Sequence, residues 1–209
     1  MQPDLLVKAL AAIDTKTTFQ KFQVASGIAS KSVAKNVIDF LVSNGIGSVT
    51  NNIITFSGTD RLYTAILALQ IGCDIERVSR HLSWKDFEKL ASEVLASLGY
   101  RTQTNVRLTK PRMEIDVVGI SAGFAIAVDC KHWNRNNRSS IAAFSEKQAA
   151  RAERLLKHDA RISQVVPVIM TLHAESVRFV GGIPVVPVHK FKSFVIEVKG
   201  FLPEIYVAC

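Results

Sequence analysis

The sequence predicts an α+β protein in two parts: a helical N-terminal unit, then a mixed sheet with helices on its faces. Three observations lead there. Apolar residues recur at helical spacing through most of the chain before Gly72. The stretch Glu114–Lys131 holds two short runs rich in Val and Ile around Ser121-Ala122-Gly123, the pattern of a β-hairpin. A helical stretch and then the apolar run Val165–Met170 follow it, which asks for a crossover connection to the sheet.

With 209 residues, the chain is long enough for one compact domain or two small ones. Its 48% hydrophobic and 21% charged content is that of an ordinary globular protein. A net charge of +8 favours a polyanionic partner. Cys73, Cys130 and Cys209 are scattered without metal-type spacing, which fits a reducing interior. No apolar run reaches bilayer length, and Asp4 stands where a signal peptide would carry a basic flank. The expectation is a cytoplasmic protein with no membrane partner.

Residues 1–58 form the first unit. Pro3 and Asp4 open a helix through Leu6, Leu10 and Ile13. A second helix runs from Thr18 to about Gly27. Ser30 caps a third, with Val33, Val37, Phe40 and Leu41 at helical spacing and Asn44-Gly45 as its stop. Residues 47–56 then read as a β-ribbon turning at Asn51-Asn52. Three helices and a hairpin in this order resemble a winged helix-turn-helix, whose third helix would present Lys31 and Lys35 to a DNA groove. A helical module for protein contacts is the competing reading. Residues 59–82 read as a helical connector, and 83–209 as the second unit.

Ser83 caps a helix whose core stripe is Phe87, Leu90, Ala91, Val94, Leu95 and Leu98, ended by Gly99. Tyr100 to Val106 is the first strand of the sheet, and the 114–131 hairpin follows. Its apolar runs hold two acids and a lysine, which such strands usually exclude because an unpaired buried charge costs several kcal/mol. Asp129 and Lys131, two apart, share one face, with Cys130 turned away. A hairpin centred near Ala122 brings Asp116 close to Asp129. Two carboxylates that close repel unless a cation lies between them, and hard oxygen donors suit Mg²⁺ or Mn²⁺.

These residues resemble the active site of the PD-(D/E)xK, restriction-endonuclease-like nuclease superfamily, with an αβββαβ core. Asp116 matches the first acid, preceded by Ile115 rather than Pro, and Asp129-Cys130-Lys131 matches the (D/E)xK element. The helix Trp84-Lys85-Asp86-Phe87-Glu88, ending in Leu98-Gly99-Tyr100, is similar to that of Mrr-like and archaeal members. The resemblance covers about 83–170. It implies a Mg²⁺- or Mn²⁺-dependent nuclease on DNA, leaving 5′-phosphate and 3′-hydroxyl ends. Asp116, Asp129, the Cys130 backbone carbonyl and Glu88 would hold the metal, Lys131 would position the nucleophile, and Gln148 would lie near the site. The Gln-x-x-x-Tyr form of the RecB-like branch is absent, since position 152 is Ala.

Further cations flank the hairpin. Lys110 and Arg112 lie in the preceding loop, a phosphate holder or a plain turn. Arg135 and Arg138 follow Lys131 in a polar, turn-rich segment suited to phosphates. Lys147, Arg151 and Arg154 fall on one stripe of the helix from Ser140 to about Lys157, either a solvated face or a phosphate contact. Val177–Val188 offers another strand or two around Gly181-Gly182, and a last helix starts at Phe191. The resemblance also implies pairing of two copies to cut both strands, and a helicase or other repair protein as partner. The rival readings are a catalytically silent DNA-binding regulator, and a nuclease subunit active only with a helicase.

Overall fold

The computed structural model of the chain describes residues 1–109, 112–131, 138–172 and 177–209; of residues 75, 76 and 138–140 it describes the backbone alone. The chain divides into two compact units, Met1–Asp86 and Phe87–Cys209.

The first unit opens with α1 (Pro3–Leu10), β1 (Lys16–Thr18), α2 (Phe19–Ser26) and α3 (Lys31–Ser43). It continues through β2 (Ser48–Thr50), β3 (Ile53–Thr55), α4 (Asp60–Gln70) and α5 (Ile75–Ser79). The caps expected from sequence form: Thr18 accepts from the Lys21 amide and Ser30 from the Val33 amide. The ribbon turns at Asn51 and Asn52, both left-handed at φ 51° and 62°, as a two-residue hairpin loop demands. β1 is an addition to the sequence reading. It pairs with β3, giving a three-stranded antiparallel sheet in the order β1-β3-β2. Leu6, Leu10, Phe22, Ile38, Leu41, Ile54 and Leu62 make the core. Residues 59–82, read as a connector, belong to this unit, with α4 against α1.

The second unit starts within α6 (Trp84–Ser97) and continues β4 (Arg101–Leu108), β5 (Met113–Ser121), β6 (Phe124–Lys131), α7 (Arg138–His158) and β7 (Gln164–Thr171). This is the expected α-β-β-β-α-β order. β8 (Arg178–Val180), β9 (Ile183–Pro187) and α8 (Phe191–Phe201) complete it. The six strands form one mixed sheet, β4-β5-β6-β7-β9-β8. β4, β5 and β6 are antiparallel neighbours, whereas β6, β7 and β9 run parallel. The parallel step follows from α7, which returns the chain to the same end of the sheet before β7 begins. Central β6 and β7 are almost wholly buried, as covered parallel strands are.

Two local features set the positions of the site residues. Gly119 in β5 lets α6 approach: a Cβ there would lie 3.0 Å from the Leu95 side chain and 3.2 Å from the Tyr100 Cβ. The side-chain alternation of β5 also slips at Asp116. Met113, Ile115, Val118 and Ile120 all pack into one cluster with Ala152 and Leu155 of α7, although strict alternation would put 115 and 118 on opposite faces. The β4–β5 pairing steps from Thr104↔Val117 to Val106↔Ile115, and Asn105, opposite Asp116, is left-handed at φ 52°. On the other side, the β5–β6 pairing ends at Val117↔Val128. Asp116 therefore sits where regular pairing is interrupted on both sides, and its carboxylate is free to turn towards β6.

Candidate active site

The site is built at the end of the β5–β6 hairpin, under the middle of α7. Asp116 Oδ2 accepts the backbone N–H of Cys130 at 2.7 Å. This bond takes over where the strand ladder stops. Asp129 is 1% exposed, and each of its carboxylate oxygens meets a cation. Arg151 Nη1 donates to Oδ1 at 2.8 Å, and the Lys131 ammonium lies 2.9 Å from Oδ2. The two oxygens are not equivalent. Oδ1 has a directional hydrogen bond, whereas Oδ2 is buried with no hydrogen bond of sound geometry, so its pairing with Lys131 is charge attraction alone.

Gln148 is fully buried, one turn before Arg151. Its Nε2 donates to the carbonyls of Ala127 at 2.8 Å and Val168 at 3.3 Å, pinning α7 across β6 and β7. Its Oε1 accepts from Arg151 Nη1 at 3.1 Å. The carboxamide is therefore satisfied within the protein. Gln148, expected beside the reacting groups, braces Arg151.

Burial, and secondarily the negative charge of Asp129, push the Asp116 carboxyl above the usual carboxylate range, opposed by the Cys130 amide, Lys131 and Arg151. The Cys130 thiol is raised well above its ordinary value, first by complete burial and then by Asp116, Asp129 and Glu88. It is a protonated core group, not a nucleophile.

Glu88, 6% exposed on α6, acts electrostatically on Cys130, which alternation turns away from Asp129 and Lys131. Asp116, Asp129, Lys131, Gln148 and Arg151 are thus brought together, whereas Glu88 is linked to them through its electrostatic effect on Cys130. Among the described residues, no three His, Cys, Asp or Glu side chains are gathered closely enough to hold a metal. The expected set of Asp116, Asp129 and Glu88 is not a preformed three-acid cluster. Three carboxylates so close would repel, and Asp129 is neutralised here by Lys131 and Arg151. The residues nonetheless fit a divalent cation in one respect. Asp129 Oδ2, a buried oxygen without a hydrogen bond, is directed at a positive charge, which is where a metal ligand would be directed.

Of the other expected contacts, Lys31 and Lys35 are exposed on α3 in the first unit. Arg112 and Lys147 are also exposed, the latter 5.6 Å from the Phe144 ring centroid. Lys131 lies 4.9 Å from the same ring. Arg154 donates to the Thr109 carbonyl at 2.7 Å, fastening the end of β4 to α7. Lys110, Arg135 and the Arg138 side chain lie outside the described residues. The pairing of Arg151 with Asp129 escaped the sequence reading, where Arg151 was one of a stripe of cations. Its position three residues after Gln148, on the same helical face, was the available signal.

Residues 79–156 match the Mrr_cat family model, described as restriction endonuclease. This match supports the restriction-endonuclease-like superfamily for that stretch, and the mixed α/β sheet is consistent with its fold. An uncharacterized protein of Archaeoglobus fulgidus is 26% identical over 127 residues, 59% of this chain and 97% of that protein. A crystallised protein of unknown function is 25% identical with a TM-score of 0.31, over 41% of this chain and 46% of the other. A crystallised Vibrio cholerae protein is 11% identical with a TM-score of 0.41, over 97% of this chain and 51% of the other. The chain thus spans about half the length of each of these two solved structures. Among the described residues, no helix is long and apolar enough to cross a membrane.

Proposed function

We propose that the chain is a divalent-metal-dependent deoxyribonuclease, an endonuclease that hydrolyses phosphodiester bonds in DNA repair, recombination or restriction. One observation carries this reading: Lys131 and Asp129 meet at 2.9 Å beside Asp116, on adjacent strands of a restriction-endonuclease-like sheet. Asp116 and Asp129 would hold Mg²⁺ or Mn²⁺, with Glu88 and the Cys130 carbonyl as further oxygen donors. Such an ion, when bound, makes a coordinated water acidic and polarises the phosphate. Lys131, 22% exposed at its side chain, reaches from the buried acid towards solvent. There it positions the attacking water or offsets the negative charge that builds on the phosphate oxygens. Burial of Asp129 keeps water from screening its charge, so the carboxylate interacts strongly with whichever cations face it, here Lys131 and Arg151.

The first unit would place the DNA. Its order of helix, strand, two helices and two strands supports a winged helix-turn-helix reading, with α3 offering Lys31 and Lys35 and the β2–β3 ribbon as the wing. The net charge of +8 supports a polyanionic substrate. Two copies would pair to cut both strands. One observation favours a second reading, a nuclease subunit that acts only once a helicase partner delivers DNA: both Asp129 oxygens already face the protein's own cations.

The test is a cleavage assay of the purified full chain with Mg²⁺ and with Mn²⁺ on linear, single-stranded, flapped and branched DNA. Cleavage is expected to need the metal, and to fall by about two to four orders of magnitude in Asp129→Asn and in Lys131→Ala. Variants that cut as well as the parent would mean the site lies elsewhere. Activity that appears only on adding a helicase would select the second reading.

A further inference from the structure

We infer that Arg151 is a positioning residue that fixes the Asp129 carboxylate so that Oδ2 is the oxygen offered to a divalent cation, an inference that rests on the nuclease reading above. The two cations on Asp129 are held differently. Arg151 Nη1 makes a directional bond to Oδ1 at 2.8 Å and a second contact with Gln148 Oε1 at 3.1 Å. Gln148 is itself suspended from the Ala127 and Val168 carbonyls, on two different strands. Arg151 is thus one end of a chain of bonds rooted in the sheet backbone. Among the described residues, Lys131 shows no such brace: its ammonium faces Oδ2 without a hydrogen bond of sound geometry and lies against the face of Phe144. A divalent cation held by Oδ2 would compete with Lys131 rather than with Arg151, which bonds the other oxygen, and the Lys131 ammonium would then be free to meet water or phosphate.

Arg151 has two opposing effects on a bound cation, so the sign of the mutant effect decides the matter. As a positive charge it repels the metal, and removing it would tighten binding. As a brace it orients the ligand, and loss of such outer partners typically costs about 10–100-fold in metal affinity. The rigid chain through Gln148 makes the brace the larger effect.

The experiment titrates Mn²⁺ into the DNA-free full chain, reading free Mn²⁺ by electron paramagnetic resonance. Parent, Arg151→Met and Arg151→Lys are compared, each with a thermal melt and steady-state cleavage kinetics. Arg151→Met is expected to weaken Mn²⁺ binding by about 10–100-fold and to lower kcat while KM for DNA stays within about twofold. Arg151→Lys, which keeps the charge but not the planar fork, is expected to recover only part of the loss. Mn²⁺ binding as tight as the parent's, or tighter, in Arg151→Met overturns the inference. So does a raised KM with unchanged kcat, which would make Arg151 a phosphate contact. If the melt shows Arg151→Met unfolded, Arg151→Lys decides: weaker Mn²⁺ binding supports the inference, and parental binding overturns it. A parent that neither binds Mn²⁺ nor cuts DNA overturns the nuclease reading and this inference with it. A parent that does both, with unchanged variants, overturns the inference alone.

Discussion

The Asp116 carboxylate accepts the Cys130 backbone N–H at 2.7 Å, one residue beyond the last regular pair of the β5–β6 ladder, Val117↔Val128. A side chain here substitutes for the strand. It holds the first acid of the site against the backbone that carries the second, so the spacing of the two is set by the hairpin.

Gln148 should matter for stability as well as for the site. Gln148→Leu keeps most of the volume but strips the buried carbonyls of Ala127 and Val168 of a donor. A loss of about 2–4 kcal/mol is expected. Urea unfolding, followed by amide exchange in β6, measures it. An unchanged midpoint would mean that those carbonyls find other partners.

Gly119 makes room for α6. Gly119→Val would drive a branched side chain into Leu95 and Tyr100, at a cost of about 1–3 kcal/mol. Leu95→Ala in the same chain should recover part of that cost. A double variant no better than the sum of the singles would rule out the contact as the cause.

The turn joining β5 and β6 contains a correctable flaw. Ala122 is left-handed at φ 47°, beside Gly123 at φ 80°. An alanine there carries steric strain that glycine avoids. Ala122→Gly is expected to stabilise the second unit by about 0.5–1 kcal/mol, net of glycine's greater chain entropy. A lower denaturation midpoint would contradict this.

Tyr206 gives a pH signature away from the active site. Burial, and then a 2.8 Å hydrogen bond to Glu153, push its phenol up to about 12. The unfolded chain loses this proton near pH 10, whereas the folded chain keeps it. The stabilisation is therefore complete below about pH 10 and is lost as pH rises towards 12. Burial also raises the Tyr100 phenol, so tyrosinate absorbance should show late titration whose last component is the one that Tyr206→Phe removes. The same change should flatten the decline of stability over that window. A parent whose tyrosines all titrate near 10 would refute it.

The αβββαβ core was legible because its signals are local. The two-residue spacing of Asp129 and Lys131 puts them on one face, and a short Gly-containing turn fixes which strand meets which. β1 was not legible: at three residues, with only Thr17 buried, it has no periodicity to detect. The slip at Asp116 also left no trace, because it depends on Asn105 of a neighbouring strand taking a left-handed conformation. Arg151 was ambiguous for a third reason. Spacings of three and four place it among other cations on a helix, but they do not say whether that stretch of the face meets water or a buried acid.

The interruption at Asp116 has a practical consequence for anyone wishing to transplant this chemistry. It is made by three strands and steadied by helices on both faces of the sheet, so the hairpin excised as a peptide would lose what turns its first acid onto the Cys130 backbone amide. A graft onto another scaffold would have to carry β4 with its Asn105, and the Gln148–Arg151 turn of α7, before Asp116 would hold that amide and Asp129 its arginine again.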